Sequence, residues 1–160
     1  MEIEKRLEAM GLALPAAMQS IPDLPLPFVN VRVWEGRAYI AGHVALNDDG
    51  SVSDVRGKIG AEISVEQGYA SARQTALAVL SDLKRELGDL DRVTAWLRVF
   101  GMVNVAPGFL MPPAIVNGFS DLILELYGPA AGPHARSAIG VAVLPFNMPV
   151  EIEAEVAIRI

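Results

Sequence analysis

The sequence predicts an α+β fold, a single sheet with two long helices packed on one of its faces. Three observations predict it. Apolar residues recur at helical spacing from Val65 to Leu87. Segments of two-residue alternation, read as strands, flank that helix on both sides. Short turn signals separate the segments and give the order β-β-α-β-α-β-β, in which two helices can cover one face of a sheet. A chain of 160 residues falls within the usual size of one domain, here 1–160.

The elements follow in order. Ile3, Leu7 and Met10 share one face of a short helix over 3–10. Prolines at 15, 22, 25 and 27 make 15–27 an extended surface lead-in, because proline fixes φ and lacks an amide donor. Val29–Trp34 and Ala38–Val44 read as a hairpin across Glu35-Gly36. The run Asn47-Asp48-Asp49-Gly50 is a turn, and a loop continues to about Ile63. Ser64 and Gln67 have the spacing of a capping box, and Gly88 supplies the stop for the long helix. Val93–Phe100 is a strand with Val93, Ala95, Leu97 and Val99 on one face and Thr94, Trp96, Arg98 and Phe100 on the other. Residues 101–113 read as irregular because of Gly101, Pro107-Gly108 and Pro112-Pro113. A second helix is expected over 113–127, ended by Gly128-Pro129, although Asn117-Gly118 inside it lowers helix propensity. Ser137–Leu144 and Val150–Ile158 are the last two strands, joined through 145–149.

Composition narrows the function. Hydrophobic residues make up 52% and charged residues 20%, which excludes disorder as the main state. No apolar run reaches the roughly 18–20 residues of a membrane span. The charged N-terminus lacks a secretory h-region, so a cytoplasmic location is expected. There is no cysteine, which excludes disulfides and thiolate chemistry. With two histidines and no Walker-type or dinucleotide-type glycine loop, neither a metal nor a cofactor is expected. The net charge is −6 and the cations are scattered, which disfavours nucleic acid and anionic membrane as partners.

The strands 93–100 and 137–144 carry apolar residues on both sides, while the helices cover only one. Another copy of the chain is the simplest cover for the second face; the alternative is the N-terminal segment folding over it. Arg136, just before the most apolar strand, offers a planar fork suited to a carboxylate, or a structural ion pair. Glu151, Glu153 and Glu155 form one acidic face, and Glu151, at the strand start, is the one placed to have a raised pKa and move protons. His43 is expected to be structural and His134 solvated.

The segment Arg136–Glu155, RSAIGVAVLPFNMPVEIEAE, resembles the C-terminal signature of the RidA family, also called YjgF or L-PSP endoribonuclease-like. Ile40-Ala41-Gly42, the alanine-rich helix and Val116-Asn117 extend the resemblance over about 28–158, and the longer insert from Gly101 is similar to a YjgH-like subgroup. The resemblance implies a chorismate-mutase-like fold, a homotrimer with a central barrel, and ligand clefts between subunits. It implies hydrolysis of 2-imino or 2-enamino acids to 2-oxo acids and ammonia. Arg136 would grip the substrate carboxylate, Glu151 would position water, and Gly42 and Asn117 would line the cleft. Phe28 and Ala138 stand where the family often has a tyrosine and a cysteine, so the cleft is expected to be more apolar. A small-carboxylate sensor without turnover is the alternative. Ribonuclease activity is disfavoured by the charge and the lack of a histidine pair.

Overall fold

The computed structural model describes residues 1–160. Its elements are α1 (Glu2–Ala9), β1 (Val31–Trp34), β2 (Arg37–His43), α2 (Val65–Leu87), β3 (Val93–Asn104), α3 (Pro112–Ala131), β4 (Ala135–Val141) and β5 (Val150–Ile158). The five strands form one sheet in the order β1-β2-β5-β3-β4, antiparallel throughout except for the parallel β3–β4 pair. This is the expected α+β class.

The long helix begins as its sequence requires. Ser64 Oγ accepts from the Gln67 amide and Gln67 Oε1 accepts from the Ser64 amide, the reciprocal capping box. Gly88 ends it at φ +77, a left-handed conformation that glycine adopts without steric cost. Helices α2 and α3 pack side by side on the inward face of the sheet. One core cluster of 30 buried residues runs from Ile3 to Ile158 and includes Trp96, Phe119 and Ile152. Trp96 meets Phe119 and Tyr127 edge-on, with centroids 5.7 Å away in each pair.

Several expectations are corrected. Strand β3 continues through Gly101 to Asn104 instead of ending at Phe100. Gly101 is not a breaker but a close-approach site, because a Cβ there would run into both methyl groups of Val116 on α3. Trp96 lies on the same buried face as Val93 and Val99, since register shifts in the β3–β5 ladder break strict alternation. Strand β4 spans 135–141 rather than 137–144, so Arg136 is inside the strand. The break at Gly128 is real, with φ +67, but helical structure resumes at Pro129.

The Asn117-Gly118 pair also finds its explanation. The helix is not kinked there. A Cβ on Gly118 would overlap the Tyr69 carbonyl oxygen of α2, so the two helix backbones touch at this point.

The N-terminal segment does not fold over the open face. The amides of Glu2 and Ile3 donate to Asp91, and Arg6 donates to the Leu126 carbonyl, which docks α1 at the ends of α2 and α3. The lead-in is held by Ser81 Oγ donating to the Pro15 carbonyl and by the Ala16 amide donating to Asp48. The outward face therefore exposes Trp34 (57%), Tyr39 (43%) and Ile139 (43%). No helix is long and apolar enough to cross a membrane.

Replacing Gly118 with alanine is expected to destabilise the chain by about 1–3 kcal/mol, because backbone rather than a mobile side chain must give way. Urea melts of the wild type and Gly118→Ala check this; an unchanged midpoint would refute the contact.

Candidate functional site

The structure places Arg136 and Glu151 on opposite faces of the sheet, while Phe28 lines a crevice shared with Asp82 of α2. One group of expected site residues gathers around Arg136. On β4 its register partner is Val99, a buried residue, so its side chain rises on the helix side. There Arg136 Nη1 donates to Asn117 Oδ1 and to Ser120 Oγ, both at 3.0 Å, and Nη2 reaches the Pro113 carbonyl at 3.4 Å. Nε makes no hydrogen bond within the chain, and no carboxylate lies within ion-pair distance. The Nε–Nη2 edge is the one that grips a carboxylate two-pronged. It is left with one long contact. Burial lowers the pKa of Arg136 and the charge of Asp121 opposes this, but an arginine remains protonated in any case. A shallow cleft of about 400 Å³ opens here, lined by Asn117, Ser120, Asp121, Leu124, His134 and Arg136. Ala138 follows two residues later on the same face and packs against the core beside Gly101.

His134 is not solvated as expected. It is half-buried, with Nε2 at 2.9 Å from Ser120 Oγ and Nδ1 at 2.8 Å from the Gly132 carbonyl. Burial pushes its pKa below the usual value, the Gly132 contact opposes this, and the positive charge of Arg136 adds to the lowering. The spacing held a clue to both residues. Asn117 and Ser120 are three apart on a helix, and His134 and Arg136 two apart along an extended segment.

The second group gathers around Glu151. This half-buried residue pairs with Met102 and faces outward. Gly42 leaves room for it, since a Cβ there would overlap Glu151 Oε1. Burial raises the pKa of Glu151, Glu153 raises it further, and His43 opposes. No hydrogen-bonding side chain of the chain itself engages this carboxylate. Phe28, 55% exposed, shares a small crevice with Gly42, His43, Asn30 and Asp82.

His43 is structural, as expected. Its Nδ1 faces the Ala41 carbonyl at 2.6 Å and its Nε2 faces Asp82 Oδ2 at 2.9 Å. Asn30 and Arg85 also donate to Asp82. Burial opposes ionisation of Asp82, but His43 and Arg85 outweigh it and hold the carboxyl below the usual range. The network ties the start of β1 and the end of β2 to α2, and so fixes the strand end that carries Gly42.

A cluster of carboxylates, Glu4, Asp89 and Asp91, lies at α1; Glu4 Oε1, Asp89 Oδ1 and both Asp91 oxygens already meet Lys84, the terminal amine or backbone amides, and Glu4 Oε2 is buried without a partner.

This geometry sits on a fold with known relatives. The family model described as YjgF/chorismate mutase-like, provisionally endoribonuclease, matches residues 4–153. Protein TCP17 of Trypanosoma cruzi is 36% identical over 98% of this chain and 94% of its own. A crystal structure of an Agrobacterium tumefaciens protein of unknown function is 32% identical with a TM-score of 0.87, covering 98% of this chain and 92% of its own. A Shewanella oneidensis protein, provisionally described as an endoribonuclease, has a TM-score of 0.88 at 27% identity, covering 99% of this chain and 100% of its own. The Escherichia coli YjgF gene product shares the fold at 21% identity, with a TM-score of 0.62 over 91% of this chain and 98% of its own. With its helix-backed sheet and a family match spanning nearly its whole length, the chain belongs to the YjgF/chorismate mutase-like family.

Proposed function

We infer that this chain captures a small carboxylate on Arg136, in a cleft completed by neighbouring copies, and that Glu151 activates water there. The reaction would be hydrolysis of a 2-imino or 2-enamino acid. Water adds to the C=N carbon, and the C–N bond then breaks to leave a 2-oxo acid and ammonia. The observation that carries the reading is the Nε–Nη2 edge of Arg136, which meets no carboxylate and only the Pro113 carbonyl at 3.4 Å. A fixed guanidinium without an anion suits recognition of one. Glu151 supports the second half, because a carboxylate with a raised pKa is a stronger general base.

Within one chain Arg136 rises on the helix side of the sheet and Glu151 on the open side. One subunit would therefore supply the anchor and another the base, and the homotrimer of the family is the assembly that fits. The exposed apolar residues Tyr39 and Ile139 on the open face favour such packing.

A second reading, binding without turnover, is favoured by Ala138 and Phe28. Neither offers the thiol or the phenolic hydroxyl that would help orient water. RNA cleavage fits less well, since the Arg136 cleft holds one arginine beside Asp121 on a chain of net charge −6.

Decay of an imino acid generated by an amino-acid oxidase is expected to accelerate with wild type and not with Arg136→Ala or Glu151→Gln. Equal decay in all three removes the enzymatic reading. Binding of a 2-oxo acid by wild type alone, without turnover, would establish the sensor.

Gly42→Ala separates the two halves. The added methyl displaces the flexible end of Glu151, so turnover should fall by about tenfold or more while 2-oxo acid binding stays within about twofold. Calorimetry beside the decay assay reads both; parallel loss of binding would place Gly42 in the anion site instead.

The raised pKa of Glu151 also has a stability consequence. The folded chain binds this proton more tightly than the unfolded chain, so the stabilising contribution is present at low pH. It is lost as pH rises from the unfolded value through the folded one. Glu151→Gln should therefore melt higher than wild type near neutral pH and at the same temperature near about pH 4. A melting difference that does not change with pH would refute the shift.

A further inference from the structure

We propose that Ser120 and His134 form a hydrogen-bond relay that positions Arg136 and couples anion capture on its open edge to a proton at His134. The inference rests on the anion-site reading above and deepens it.

The direction of the relay is set by chemistry. The Gly132 carbonyl can only accept, so His134 Nδ1 carries the proton of that 2.8 Å bond. In the neutral ring Nε2 is then bare and accepts from the Ser120 hydroxyl at 2.9 Å. The lone pairs of Ser120 Oγ are left to accept from Arg136 Nη1 at 3.0 Å. Asn117 Oδ1 takes the other Nη1 hydrogen. Both acceptors of Nη1 are neutral, so the guanidinium is oriented without being neutralised.

Three titratable groups line the cleft: Asp121 from α3, His134 from the turn before β4, and Arg136 from β4. Asp121 is occupied by the Tyr69 hydroxyl at 2.8 Å and forms no ion pair with Arg136. With the cleft empty, a proton on His134 would face the charge of Arg136 across one hydroxyl. An anion on the Nε–Nη2 edge cancels that charge and makes the proton favourable. Nε2–H then donates to Ser120 Oγ, which still accepts from Arg136 Nη1 and so keeps the guanidinium oriented. By linkage, the anion must bind more tightly where His134 is protonated.

The test uses the full chain and pyruvate as probe. Nitrogen NMR reports the tautomer and titration of His134 in the free protein. Calorimetry follows pyruvate binding between about pH 5.5 and 7.5 in the Glu151→Gln background, which removes the carboxyl whose pKa is raised toward that range. His134 should be the Nδ1–H tautomer, and its titration should move to higher pH in Arg136→Ala. Pyruvate should bind roughly fivefold or more tightly at the acidic end. His134→Gln and Ser120→Ala should lose this slope, and Ser120→Thr, which keeps the hydroxyl, should retain it.

An Nε2–H tautomer, or a slope that survives His134→Gln, overturns the relay. Binding unaffected by Arg136→Ala overturns the anion-site reading instead, while the tautomer and titration of the free protein still judge the positioning. A chain that binds no pyruvate at any pH overturns the coupling together with that reading.

Discussion

The seating of α3 is the contact on which the rest of the molecule depends. Gly118 lets its backbone meet the Tyr69 carbonyl of α2, and Gly101 lets Val116 rest directly on β3. A helix held on two sides at this distance has little freedom to roll, because packed interiors resist even a methylene of extra volume. Asn117 and Ser120 are thereby presented to β4, which runs parallel to β3 at the sheet edge. The packing of α3 and the candidate anion site both rest on these two contacts.

Arg37 pairs with Glu155, Arg73 with Glu125, and Arg85 with Asp82. Arg92, half-buried and without a carboxylate, is closed off differently, with Nε and Nη1 on the Arg159 and Leu87 carbonyls. Arg136 is also half-buried and bonded only to neutral acceptors, but its Nε is left free where it lines a cleft. Glu151 is its counterpart, half-buried beside Gly42 and in no salt bridge. Unmatched opposite charges on opposite faces of one sheet are what a shared cleft between copies would bring together.

Much of the fold could be read from residue order because its signals are local. The capping box at Ser64 and Gln67, the left-handed Gly88 and the period of α2 each act within one or two helical turns. The acidic alternation of β5 likewise survives as its outward face. The misreadings share a cause. Gly101 and Gly118 look like breakers to a local rule, while their purpose is approach by a distant backbone. Trp96 changes face because the neighbouring strand shifts register, which no alternation within β3 can announce.

The sequence by itself determined the class of fold, the two ends of α2, the signature containing Arg136 and Glu151, and the absence of any thiol. These are properties of residue type and short spacing. Only the tertiary structure decided that Arg136 meets Asn117 and Ser120 rather than a carboxylate, that His134 is joined to them, and that Glu151 faces the other side of the sheet. Those facts depend on residues far apart in the chain, and they are set by how closely α3 can approach β3 and α2.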